Sequence, residues 1–191
     1  MLWVTDKLIA FMIKNSVISD DDDTVAFYRY GIEISISSLL NILLVLIIGM
    51  IVGRLINALV FLCTFVFVRR FTGGYHADTY FRCNLIMCMG FIVVNLSSVL
   101  FMNSLSVFHA VTIETVVIVI IVLFGPIENP NKPIGIKDKK KYKALSIIIV
   151  TGLSVLSLIL IGFHYIHGAV LVFTMLLISI LMIAARIKER S

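Results

Sequence analysis

The run IEISISSLLNILLVLIIGMIVGRLINALVFLCTFVFV, Ile32 to Val68, is almost continuously apolar, and its reading decides the fold. A bilayer core of about 30 Å is crossed by about 20 helical residues, each rising about 1.5 Å. A single rod over this run overshoots the membrane. The segment therefore predicts a hairpin of two spans, with its turn near Gly53-Arg54. Further apolar runs read as spans at Leu85–Met102, Val107–Phe124, Ala144–Phe163 and Gly168–Ala185, making six crossings in all.

Composition agrees. Of the 191 residues, 60% are hydrophobic, and the mean hydropathy is +1.09. Soluble domains hold roughly 45–50% apolar residues, so this chain has too few polar groups to solvate a globule of its size. The expected architecture is one all-α integral membrane domain over residues 1–191. Asp6 interrupts the opening residues and no small-residue cleavage site follows, so no cleavable signal is expected. Instead Leu2, Trp3, Leu8, Ile9, Met12 and Ile13, with Lys7 and Lys14, predict an interfacial amphipathic helix within residues 1–18. The acidic run Asp20–Asp23 reads as a solvated turn and cap. All three prolines, Pro126, Pro130 and Pro133, fall in the loop that ends the fourth span.

Charge sets the expected orientation. Six spans with both ends on one side collect there all but Arg54 of the 16 basic residues. The positive-inside rule then makes both termini cytoplasmic, together with the loop between the second and third spans. The net charge of +5 expresses this asymmetry. No basic-aromatic platform accompanies it, so nucleic acid is not an expected partner.

That second loop holds the chemistry. The stretch VRRFTGGYHADTYFRCNL, Val68 to Leu85, packs His76, Cys83, paired glycines and three arginines between apolar runs. A thiolate nucleophile needs an imidazole to take its proton and cationic neighbours to favour the anion. On one continuous helix, His76 and Cys83 would stand about 10 Å apart along the axis. That exceeds the ~2.6–3.2 Å reach of a proton transfer. Cooperation requires a bend between them. Gly73-Gly74 frees the backbone before His76, and Asp78 or Thr79 suits the N-cap of the third span. Cys83 then lies in the first turns of a helix, where the dipole and Arg82 help a thiolate. An interfacial histidine with an unrelated buried cysteine is the alternative that spacing alone leaves open.

Here the chain resembles the accessory gene regulator B (AgrB) family of Gram-positive quorum sensing. The matching features are Arg69-Arg70, Gly74, and His76 with Cys83 at the family's His-x6-Cys spacing. GPIENPNKP, Gly125 to Pro133, the lysine-rich Lys137–Lys143 segment, the six-span plan and the length also match. The resemblance implies a multi-pass enzyme of the bacterial cell membrane, a cysteine endopeptidase acting on an AgrD-type propeptide without metal or cofactor. It implies removal of the propeptide's acidic C-terminal tail and retention of the remainder as a thioester. A side-chain thiol or hydroxyl of the peptide then closes a ring. By position, Cys83 is the expected nucleophile and His76 its general base. A peptide exporter or a propeptide-binding scaffold is the rival reading; a transporter would show discontinuous spans at matching places in two halves, and none is evident.

Supporting roles are open at several residues. Glu33 enters the first span at about the depth of the loop and suits a third member orienting His76, or an ion pair with Arg29, Arg69 or Arg70. Arg70 reads as a substrate clamp or a positive-inside anchor. Gly74, with Gly73, reads as an oxyanion donor or a plain turn. Lys139, Lys140 and Lys141, within the cluster that Lys137 and Lys143 bound, suit docking of an acidic tail and attraction to anionic lipid alike. Cys63 and Cys88 read as packing residues within spans. Glu114, deep in the fourth span, is expected to make a structural polar contact, with Asn95 as its partner. His164 and His167 lack a third ligand for a metal. Gly49-x3-Gly53 suits a close helix contact or a homodimer.

Overall fold

The computed structural model describes residues 2–73, 79–127 and 136–190. The described chain is helical throughout: α1 (Leu2–Lys14), α2 (Asp22–Ile51), α3 (Leu55–Thr72), α4 (Tyr80–Phe101), α5 (Val107–Phe124), α6 (Ile136–Gly162) and α7 (Ile166–Arg190). Six of these, α2 to α7, are long and apolar enough to cross a membrane. The protein is an all-α, multi-pass membrane protein. It divides within α2 into two units, residues 1–44 and 45–191.

In the first unit, α1 carries Trp3 outward with the Lys7 ammonium 3.9 Å from its ring centroid, while Thr5 and Ile9 are buried. Arg29 of α2 pairs with Asp6 of α1. Asp21 caps α2, its carboxylate accepting from the Thr24 N–H at 2.9 Å. Hydrogen bonds from the Ser19 hydroxyl and from Thr24 hold the Asp21 carboxyl below the usual carboxylate range. The acidic run is a turn and cap, as its composition predicts.

The second unit is organised around α7, which packs against α3, α4, α5 and α6. The core joins Phe61 and Phe65 of α3, Phe91 of α4, Val117 and Ile121 of α5, and Met175, Ile178 and Met182 of α7. The Phe61 ring lies 5.5 Å from Phe65 and from Phe91, centroid to centroid. Many large apolar side chains remain exposed on the outer faces, Leu43, Ile47, Phe67, Leu100 and Leu123 among them. In water such a surface would aggregate; in a bilayer it is the lipid-facing side.

The predicted hairpin turn falls at Val52–Arg54, with Gly53 at φ +68°. Gly49 lets α2 and α3 close on each other: a Cβ there would stand 2.6 Å from the Ala58 Cβ. The Gly49 face is thus filled from within the chain, which accounts for the motif without a second copy. Two expectations need correction. Glu114 does not meet Asn95. It accepts from Ser154 Oγ at 2.8 Å and Ser157 Oγ at 2.9 Å across α5 and α6. Asn95 instead accepts from Asn57 Nδ2 at 2.9 Å. The helix of the fifth span also starts before the expected Ala144: α6 begins at Ile136 and carries the lysines in its first turns.

Candidate active site

The C-terminal end of α3 and the start of α4 build the site. On α3 the period of about 3.6 residues sets Phe61, Phe65 and Val68 on the buried face. Arg69 follows Phe65 by one turn and flanks that face. It is half-buried, its guanidinium 5.2 Å from the centre of the Phe65 ring, an arrangement that holds an arginine by its cation–π attraction. Arg70, a further 100° round the helix, is exposed.

The helix ends at Gly73, whose N–H donates to the Arg69 carbonyl at 3.0 Å. Gly73 has φ +69° and ψ −156°, a combination essentially reserved for glycine. Its missing side chain matters twice over, since a Cβ would collide with the Ile127 carbonyl oxygen. The Ile127 N–H donates to the Thr72 carbonyl at 2.9 Å. The residues just after α5 are thereby strapped onto the end of α3. Arg186 of α7 holds the same corner, donating from Nη2 to the Phe124 carbonyl at 3.1 Å.

Thr79 caps α4, its hydroxyl accepting from the Arg82 N–H at 3.3 Å. The Cys83 N–H donates to the Thr79 carbonyl at 3.1 Å, which places Cys83 in the first turn. This is the position expected for it, and Thr79 is the cap. The thiol is free and half-buried. Across the α3–α4 junction the Arg69 guanidinium lies close enough to Cys83 for direct electrostatic interaction. Cys83 is thus a half-buried sulfur at a helix start, in electrostatic interaction with Arg69. Cys63, exposed, and Cys88, half-buried, lie within α3 and α4 and serve as span residues.

The lysine turn belongs to the same end of the unit. Phe71 at the end of α3 and Tyr142 in α6 have ring centroids 6.0 Å apart. Tyr142 follows Lys139, Lys140 and Lys141, all three exposed.

His76 and Gly74, with Asp78, lie outside the described residues. Glu33 is half-buried on α2 in the first unit; the site above is built from the second unit alone. What sequence reasoning missed is Arg69, which interacts electrostatically with Cys83 where Arg82 was the expected cation. The one-turn spacing from Phe65 was the signal.

An all-α membrane protein with a thiol set among cations at one end of its helices is the class these features define. The family model for Accessory gene regulator B matches residues 5–183. The chain belongs to this family, which operates in accessory-gene-regulator quorum sensing. It is similar to "Putative AgrB-like protein 2" of Clostridium perfringens (strain 13 / Type A), 29% identical over 169 residues, covering 84% of this chain and 78% of the relative. It is also similar to "Putative AgrB-like protein" of Clostridium perfringens (strain SM101 / Type A), 30% identical over 190 residues, covering 96% and 88%. No solved structure matches the chain.

Proposed function

We propose that this protein is a membrane-embedded cysteine endopeptidase that cuts an AgrD-type propeptide and keeps the acyl fragment as a thioester on Cys83. The observation that carries this reading is Cys83 in the first turn of α4 with Arg69 beside it. His76 takes the Sγ proton, and the thiolate adds to the scissile carbonyl carbon. Collapse breaks the C–N bond, and His76 returns the proton to the departing amine of the acidic tail. A thiol or hydroxyl of the propeptide then attacks the thioester. Its proton passes through His76 to the Cys83 sulfur, which leaves as the ring closes to a thiolactone or lactone.

The energy for ring closure resides in the thioester, and hydrolysis would discard it. A half-buried sulfur at the end of the spans limits water at that step. Glu33 is the proposed orienter of His76, Gly74 an oxyanion donor and Arg70 a contact to the substrate backbone. Lys139, Lys140 and Lys141 dock the acidic tail. Both termini and the Cys83 end are assigned to the cytoplasm, because the described basic residues of the second unit collect at that end and only Arg54 stands at the other.

Co-expression with an AgrD-type propeptide tests the reading. Cys83→Ala abolishes cleavage and leaves membrane insertion intact, whereas Cys63→Ala and Cys88→Ala retain most activity. Hydroxylamine releases a propeptide fragment from the native protein. Full cleavage by Cys83→Ala refutes the nucleophile; binding without cleavage by the native protein favours an exporter or scaffold.

A further inference from the structure

At the end of the second unit away from Cys83, the starts of α3 and α7 border a cleft of about 560 Å³. The 18 residues of α3, at about 1.5 Å each, separate this cleft from the thiol end by roughly the thickness of a bilayer core. Three polar side chains line it: Arg54, Asn57 and His167. They are ordered as a relay. Asn57 is buried and donates from Nδ2 to Asn95 Oδ1 at 2.9 Å. Its oxygen is then the acceptor that faces His167 Nδ1 at 3.0 Å. In that arrangement Nδ1 carries the ring proton, and Nε2 has no partner among the described residues.

Arg54 completes the lining from the α2–α3 turn. Its side chain does not cap α3 and makes no ion pair among the described residues. No described Asp or Glu lines the cleft. The remaining walls include Met50 and Ile56, which are 56% and 61% exposed. A guanidinium at one end, with exposed apolar walls beside it, complements an anion that carries a hydrocarbon tail. The volume lies within the ~300–1,000 Å³ usual for small-ligand sites.

We infer that this cleft is a binding site for the phosphate headgroup of an anionic phospholipid, held by Arg54 with its acyl chains along Met50 and Ile56. A free phosphate satisfies Arg54 but leaves the apolar walls uncovered, which is why the lipid is the assigned source. The site is separate from Cys83, and its test does not depend on cleavage.

The full-length protein in nanodiscs of phosphatidylcholine, doped with photoreactive phosphatidylglycerol, supplies the assay. Cross-linked peptides are mapped by mass spectrometry, and only adducts on residues 50–57 and 166–167 count, since the lysines at the other end attract anionic lipid independently. Phosphatidylglycerol labels this cleft in preference to a photoreactive phosphatidylcholine. Arg54→Gln raises the phosphatidylglycerol level needed for half-maximal labelling about fivefold, the contribution of one basic residue near an anionic headgroup, and Arg54→Lys restores it. Equal labelling by both lipids in the native protein, a reading that needs no variant, overturns the proposal. So does unchanged labelling in Arg54→Gln, and so does displacement by millimolar inorganic phosphate, which would assign the cleft to a free anion.

Discussion

Gly73→Ala is the sharpest test of how the reactive corner is held. The native residue sits at φ +69°, ψ −156°, and an alanine forced there costs about 1–3 kcal/mol. Its Cβ also meets the Ile127 carbonyl oxygen, backbone that yields only by moving the strap after α5. That movement breaks the 2.9 Å bond from the Ile127 N–H to the Thr72 carbonyl, a further ~1 kcal/mol. The combined ~2–4 kcal/mol disfavours the native corner by roughly 30- to 1,000-fold. The segment leading to His76 leaves α3 at this residue, so propeptide cleavage falls by at least tenfold. Membrane insertion and the thermal stability of the span bundle change little, because the core residues are untouched. Gly53→Ala is the matched control. It too has a positive φ, +68°, but has no atom within 4 Å of the added carbon and lies at the other end of α3. Cleavage is followed by electrophoresis of the co-expressed propeptide, and insertion by membrane fractionation. Native-like cleavage by Gly73→Ala, or an equal loss in Gly53→Ala, refutes the reasoning.

Three further outcomes follow from the same geometry. Arg69→Gln slows alkylation of Cys83 by iodoacetamide roughly fivefold at neutral pH, the equivalent of about 1 kcal/mol of charge attraction, whereas Arg70→Gln leaves the rate within twofold; equal rates in both variants would remove Arg69 from the site. Replacing Lys139, Lys140 and Lys141 together by Gln weakens propeptide capture while single-turnover cleavage at saturating peptide is preserved; an unchanged apparent affinity assigns the lysines to lipid alone. Glu114→Leu leaves the Ser154 hydroxyl without its acceptor, while the Ser157 hydroxyl keeps the Ser154 carbonyl at 2.8 Å, and lowers stability by about 1–3 kcal/mol, read as thermal unfolding in detergent, while Glu114→Gln keeps most of it; equal melting of the two variants would show that the polar contact contributes nothing.

The spans were legible because hydropathy and turn chemistry agree there. The run through Ile32–Val68 is too long for one crossing, and the break at Gly53-Arg54 is where α2 and α3 part. The cap of α4 was legible to within one residue: Asp78 and Thr79 both suited it, and Thr79 caps the helix. The start of α6 was hidden by composition: charge reads as loop, yet lysine is a good helix former, and the helix begins at Ile136. The partner of Glu114 was missed for a different reason. Matching depth across spans pointed to Asn95, but depth does not say which helices touch. The i, i+3 serines Ser154 and Ser157 lie on one face of α6, and their spacing was the available clue. The strap from Ile127 to Thr72 has no sequence signature at all, being backbone to backbone.

The paired arginines show how far residue type falls short of residue register. Arg69 and Arg70 are identical in chemistry and adjacent in sequence, and both suit a positive-inside anchor. Register separates them. Phe61, Phe65 and Val68 define the buried face of α3, and a rotation of about 100° per residue sets Arg69 on its flank and Arg70 opposite. Burial then acts on the same guanidinium in two ways. Water removed from around it strengthens its interaction with a neighbouring anion, and the Phe65 ring at 5.2 Å offsets part of the lost hydration. An exposed arginine has neither effect and is screened by solvent. The helix that brings Cys83 into reach begins at Thr79, so the cap of α4 and the register of α3 together decide which arginine the sulfur meets. A one-residue slip of α3 would present Arg70 there instead and turn Phe65 away. The bond from Ile127 to Thr72 ties down the end of this helix, and Gly73 stands where the tie is made.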